Sequence, residues 1–112
     1  MGRAVPLLLL MSLLGSAEAS PIVLRPGDPA LDGKDYLISE QDFRAVIDVT
    51  RKRLAKVAPW FGVRRIHVEG ANDVIAYVGQ PDQYGELAYI TLHRVRGAWQ
   101  INSEAFERII ID

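Results

Sequence analysis

The chain has 112 residues, with 13 basic and 14 acidic side chains, a net charge of −1, and no cysteine. The lack of cysteine excludes a disulfide framework, a thiol nucleophile, a thiolate metal site and a lipid-modified cysteine. A whole-chain charge near zero argues against nucleic acid as a partner, because binding to a phosphate backbone rests on a strong positive field.

The first twenty residues, MGRAVPLLLLMSLLGSAEAS, place Arg3 before an apolar run at 5–14 and then Ala17, Glu18 and Ala19. A basic start, a short apolar stretch and an A-x-A site predict a signal peptide cut after Ala19, and with it export to a periplasm or the cell exterior. The run is shorter than the roughly 20 apolar residues a transmembrane helix needs. The chain from Ser20 onward is long enough for one small domain, which has to be held by packing or by a partner subunit, since it has no disulfides.

Residues 20–38 contain Pro21, Pro26, Gly27, Pro29 and Gly33, and are expected to form an extended arm, with "PIVL" as a candidate short edge strand. A long helix is predicted next. Ser39 is a good N-cap, Asp42 stands three residues on to complete an S-x-x-D box, and Ile38 can meet Phe43 as a hydrophobic staple. Phe43, Val46, Ile47, Thr50, Leu54 and Val57 then recur every three or four residues as one apolar stripe. Pro59 stops the helix at Ala58.

The charge is unevenly placed. Between residues 44 and 65, Arg44, Arg51, Lys52, Arg53, Lys56, Arg64 and Arg65 are accompanied by a single acid, Asp48. Such a segment reads either as solvated helix residues whose cations suit a helix C-terminus, or as an anion-binding face built from Arg51, Lys52, Arg53, Lys56, Arg64 and Arg65.

After Pro59 the apolar period changes from about 3.6 to 2. Strands are expected at 63–69, 74–79, 86–95 and 98–103, joined by GAND, by QPDQYG and by the Arg96, Gly97 pair. Connections this short require antiparallel hairpins. The tail FERIII, residues 106–111, is read as a fifth strand, with a short helix as the alternative. The expected architecture is α+β: one long N-terminal helix packed on a four-stranded, or with the tail five-stranded, antiparallel meander, forming a single domain over residues 39–112.

Alternation sorts the two sheet faces. Ile66, Val68, Ala88, Ile90, Leu92, Trp99 and Ile101 share the parity that meets the helix, and Trp99 belongs to the core. The opposite parity carries Arg65, His67, Glu69, Tyr89, Thr91, His93, Gln100 and Asn102. A solvated second face is ordinary in such a sheet. This one is rich in aromatic and histidine side chains, which predicts a binding surface at His67, Glu69, Tyr89, Thr91, His93 and Gln100.

His67, Glu69 and His93 are also the one combination with the donor types of a metal or acid–base site. Strand spacing works against it: first and third strands of a meander lie about 9.5 Å apart, whereas bonds of about 2.1 Å need donors close together. No nucleotide-binding, zinc-protease or serine-hydrolase motif occurs, so neither cofactor nor metal is expected. Trp60, at the helix exit beside Phe61, either closes the end of the core or anchors a partner.

A long amphipathic helix followed by a meander ending AYITLHRVRGAWQINSE, with Gly97, Trp99 and Ile101 in the last hairpin, resembles the cystatin-like and NTF2-like α+β group. The resemblance covers residues 39–103. It implies a helix lying across a curved sheet, often with dimerisation through that sheet. The Q-x-V-x-G hairpin of cystatin-type inhibitors is absent, since Gln41, Gln80, Gln83 and Gln100 all fail the pattern. The Pro59, Trp60 pair lies between helix and sheet rather than in a late hairpin. NTF2-like enzymes enclose their apolar cone with additional helices that this chain lacks.

The sequence therefore predicts an exported, non-catalytic α+β domain that binds a protein partner or small ligand through its outer sheet face, with a homodimer as one form of that interaction. The competing expectation is a small enzyme or metal-binding domain using His67, Glu69 and His93. A third makes the basic helix end a contact for anionic envelope material, such as phosphorylated polysaccharide or lipid headgroups.

Overall fold

The computed structural model describes residues 22–80 and 88–106. Strand β1 (Ala30–Gly33) leads through a 3-10 turn (Asp35–Leu37) into helix α1 (Glu40–Val57), and the chain continues into β2 (Gly62–Gly70), β3 (Asp73–Gly79), β4 (Ala88–Val95) and β5 (Ala98–Phe106). All five strands form one sheet in chain order; β1 runs parallel to β2, and every other pairing is antiparallel. The fold is α+β, as the periodicity requires. The signal-peptide segment, the β3–β4 connection at 81–87 and the tail beyond Phe106 lie outside the described residues. Among the described residues no helix is long and apolar enough to cross a membrane.

The helix is not strictly N-terminal. A strand precedes it, built from ALDG rather than the PIVL stretch, and α1 is the crossover that brings the chain back as β2 beside β1, in the same direction. The approach is close at Gly33, whose φ is +82°; a Cβ there would lie 2.5 Å from the Val68 carbonyl oxygen. The next amide, of Lys34, donates to that same oxygen at 2.8 Å.

Helix α1 begins as its local chemistry dictates. Ser39 is extended (φ −90°, ψ 170°) and its Oγ accepts from the Asp42 amide at 3.0 Å. Ile38 and Phe43 both enter the core, as a staple does. At the far end Ala58 N–H still bonds the Leu54 carbonyl, and Phe61 N–H bonds that of Ala58, turning the chain into β2. The helix stripe of Phe43, Val46, Ile47 and Leu54 packs on Ile66 and Val68 of β2, Val74, Ala76 and Val78 of β3, Ala88, Ile90 and Leu92 of β4, and Trp99 of β5. Burying each large side chain is worth about 1.5–3 kcal/mol. Thr50 is buried in the stripe, with its hydroxyl satisfied by donating to the Val46 carbonyl at 2.7 Å. Val57, expected in the stripe, is 38% exposed; the buried stripe ends with Leu54 and Ala58 instead.

The arm is pinned to α1. Arg44 donates to Asp28 at 2.7 Å and to Glu40 at 3.0 Å, and it reaches the Val23 carbonyl at 3.4 Å; Arg51 reaches that of Gly27 at 3.4 Å.

Register irregularities shape the sheet. In β2 the pairing with β3 slips on either side of Arg64 and again at Glu69. In β5, Thr91 pairs with Ser103 but Leu92 with Ile101, leaving Asn102 as the extra residue of a β-bulge. The bulge inverts the parity of β5, so Glu104, opposite Ile90, turns to the helix side and accepts from Arg53 Nε at 2.8 Å. The strand continues past the expected end at Ser103 to Phe106. The Arg96, Gly97 turn has positive φ at both residues (53° and 81°), as a type I′ hairpin turn requires.

Candidate functional site: the outer face of the sheet

The face turned away from α1 is ordered in rows across the strands. Arg65, Tyr77, Tyr89 and Ala105 form one row; Asp32, His67, Ile75, Thr91 and Ser103 form the next; Asp73, His93 and Gln100 form a third. Alternation assigns His67, Glu69, Tyr89, Thr91, His93 and Gln100 to one face; the register places all but Glu69 there, and Glu69, at the second irregularity of β2, joins them through its contact with His67.

The first row is an aromatic strip. The Arg65 guanidinium lies 4.4 Å from the Tyr77 ring centroid, and Tyr77 meets Tyr89 edge-on at 6.2 Å and 63°. Each contact is worth about 0.5–1.5 kcal/mol and fixes ring orientation across β2, β3 and β4. Tyr89 remains 39% exposed.

Charged groups border this strip. His67 sits between two carboxylates, with Nδ1 2.6 Å from Asp32 and Nε2 3.2 Å from Glu69. A protonated ring donates to both acids, whereas a neutral ring donates to only one. Arg65 binds the other Asp32 oxygen at 2.5 Å, tying β1 to β2 through side chains as well as backbone. Burial opposes ionisation of Asp32, but the hydrogen bonds from His67 and Arg65 and their charges outweigh it, holding this carboxyl below the usual carboxylate range. His93 has a separate acid, with Nδ1 2.6 Å from Asp73. Thr91 shares a hydroxyl hydrogen bond of 2.7 Å with Ser103.

His67 and Glu69 are thus adjacent, while His93 stands two strands away in the neighbouring row with a different partner, and Ile75 lies beside His67 on the strand between. Among the described residues, no three metal-ligating side chains converge. Asp32, Asp73, Ile75 and Tyr77 were not singled out by the sequence reading. Alternation against Val74, Ala76 and Val78 would have placed Ile75 and Tyr77; Asp32 gives no local signal, because its position depends on a parallel pairing 35 residues away.

The six basic residues expected as an anion-binding face are dispersed. Arg53 is engaged with Glu104 and Arg65 with Asp32. Lys52 pairs with Asp48 at 3.2 Å on an exposed helix face, Arg51 reaches the Gly27 carbonyl, and Lys56 is exposed. Arg64 is half-buried at the β2 bulge.

A second polar cluster ties the start of α1 to the sheet. Asp42 accepts from Trp99 Nε1 at 3.0 Å and Arg94 Nη1 at 2.9 Å. Arg94 also donates to the Asn72 side chain at 3.0 Å and the Ala71 carbonyl at 3.2 Å. Above it lies a shallow depression of about 360 Å³ bordered by Gln41, Ala45, Gly97 and Ala98. Asp42 and Arg94 line it too but are engaged with each other and with Trp99 and Asn72, so the cluster serves the fold. Burial raises the cost of ionising Asp42, but the Trp99 N–H, the Arg94 charge and the Ser39 cap prevail and hold its carboxyl below the ordinary value.

Asp28 is likewise lowered, by hydrogen bonds from Arg44 and the Arg25 amide. With three carboxyls titrating lower in the folded chain than in the unfolded one, the unfolded state takes up protons first as pH falls. Their contribution is complete above the unfolded carboxylate value near pH 4, and is lost as pH drops through the folded values. The urea midpoint is therefore expected to hold steady from pH 7 to 5 and fall between pH 4 and 2. A midpoint that stayed level to pH 2 would contradict these assignments.

The molecule is thus an α+β domain with one helix-covered sheet face and one open face carrying an aromatic strip with histidine–carboxylate pairs in the rows to one side of it. Comparison with known proteins finds no matching family model, no matching curated protein and no matching solved structure.

Proposed function

We propose that the chain is an exported domain that binds a partner through the outer face of its sheet, without catalysis of its own. The supporting observation is the arrangement around Tyr89. A half-exposed tyrosine, held in orientation by Tyr77 and Arg65, is bordered by polar groups that already have partners. Interfaces concentrate binding energy in such rigid aromatic anchors and surround them with a polar rim. Tyrosine also contributes contact area at low conformational cost.

The histidines belong to that rim. Each has a carboxylate neighbour that orients its ring, and they stand too far apart to act on one reacting atom together. Export rests on the leader-like segment ending at Ala19.

Replacing Tyr89 and His93 with alanine tests the reading. Both side chains are exposed, so the variant is expected to keep its circular dichroism and to lose only about 1–2 kcal/mol of stability, from the Tyr77 and Asp73 contacts, while partner affinity falls at least about tenfold, since interface anchors carry about 2 kcal/mol or more each. Unchanged binding by a folded double variant would refute it.

A further inference from the structure

The C-terminal half of α1 and the turn after it carry a surface that the outer sheet face does not use. Trp60 is 61% exposed, and Pro59 beside it is exposed as well. Phe61 meets Trp60 edge-on at 6.2 Å and 85°, and Phe106 lies 6.2 Å beyond Phe61. Phe61 and Phe106 pack against the core, so they form a fixed base from which the indole stands out.

Cations accompany it. At 100° per residue, Arg51, Lys52, Ala55 and Lys56 occupy a sector of about 140° on the side of the helix opposite the buried stripe. Arg51, Lys52 and Lys56 are all exposed there. Asp48 shares this sector and offsets one of the three charges, leaving a net charge of about +2. Arg51 donates to an uncharged carbonyl, and the Lys52–Asp48 pair is exposed on both sides (76% and 63%) and so is worth little. By contrast, Arg44 and Arg53 are engaged by Asp28, Glu40 and Glu104. The Ala58-to-Leu54 and Phe61-to-Ala58 bonds close the last turn tightly, which keeps Trp60 at the same end of the molecule as Lys56.

An exposed indole at the end of a helix whose outer side carries Arg51, Lys52 and Lys56 matches the boundary between water and an anionic bilayer. The ring is apolar with one polar N–H, suited to headgroup depth, and cations near such a surface gain from its negative potential. We propose that this end of the domain docks peripherally on anionic phospholipid, with Trp60 entering the headgroup layer and Arg51, Lys52 and Lys56 meeting lipid phosphates. Docking of this kind is weak and reversible, because one aromatic and a few cations fall far short of a stable anchor. It leaves the outer sheet face free, since α1 covers the opposite side, and it stands independently of the partner-binding reading.

The full chain after leader removal is to be floated with vesicles of phosphatidylglycerol and phosphatidylcholine in equal parts, and with phosphatidylcholine alone, while tryptophan emission is followed. Trp99 is buried against Asp42, so a blue shift on mixing reports Trp60. The proposal expects flotation and a blue shift with anionic vesicles only, both reversed by high salt. Trp60→Ala is expected to abolish the shift. The double variant Lys52→Gln, Lys56→Gln should weaken partitioning about thirtyfold, from the loss of two interfacial charges. No flotation, equal flotation with neutral vesicles, or binding without a change in Trp60 emission would overturn it. So would complete displacement by soluble inorganic phosphate at matched ionic strength, which would mark a phosphate site rather than a lipid surface.

Discussion

Asp42→Ala is expected to lower stability by about 2–3 kcal/mol, measured as a shift of the urea midpoint at neutral pH. Three connections fail together. Trp99 Nε1 loses its acceptor 3.0 Å away, Arg94 loses its counter-charge 2.9 Å away, and an acid is removed from the first turn of α1. Breaking a fully buried ion pair costs about 3–5 kcal/mol. Here the side chains are 17% and 28% exposed, so the lower figure is appropriate. Asp42→Asn keeps an oxygen for the indole and loses only the charge, and is expected to cost about half as much. It should also flatten part of the acid limb of the stability profile. If both variants unfolded at the wild-type midpoint, the cluster would not be joining helix to hairpin.

Gly33→Ala is expected to cost about 2–3 kcal/mol, and to act on β1 before the rest of the sheet. A left-handed φ of +82° disfavours any Cβ by about 1–2 kcal/mol. A Cβ 2.5 Å from the Val68 oxygen and 2.9 Å from its nitrogen adds a collision with backbone that cannot rotate away. Amide exchange should show the effect locally. The Lys34 amide, bonded to Val68, should lose protection, while amides of the β3–β4 ladder keep theirs. Undiminished protection at Lys34 would mean that β1 tolerates the Cβ and that the parallel pairing is not held as tightly as the geometry indicates.

Both residues show which parts of the fold a sequence can carry. The start of α1 was legible because its signals are local: Ser39, Asp42, Ile38 and Phe43 lie within one turn, and each acts on a neighbour. The strands after Pro59 were legible because alternation is also local, and it placed Tyr89, Thr91 and His93 on the outer face. Asp42 announced its role in the N-terminal box, but not its bonds to Trp99 and Arg94 more than fifty residues away. Strand β1 has four residues, too few for a period, and its pairing is parallel and non-local, so Gly33 and Asp32 read as arm. The bulge at Asn102 was hidden for a related reason. A parity change inside a strand looks like the strand's end, which is why the alternation of β5 stops at Ser103 when Glu104 and Phe106 continue it on the helix side.

The candidate site divides in the same way. Alternation grouped His67, Glu69 and His93 on one face, but only register shows that His67 is occupied by Asp32 and Glu69 while His93 is occupied by Asp73. The charge-rich segment from Arg44 to Arg65 looked like one basic face; Arg44, Arg53 and Arg65 instead hold the arm, the end of β5 and β1 in place. Composition records the cations, and their partners come from distant parts of the chain.

Photo-crosslinking from the outer face is the most direct test of the central claim. A benzophenone amino acid is to be placed at Tyr89, and separately at Gln41 on the exposed side of α1, in cells that export the chain. A discrete adduct from position 89, absent from position 41 and suppressed by His93→Ala, is the predicted result, and an adduct of twice the chain mass would make a second copy the partner. Equal labelling from both positions, or none from position 89, would contradict a binding function for this face.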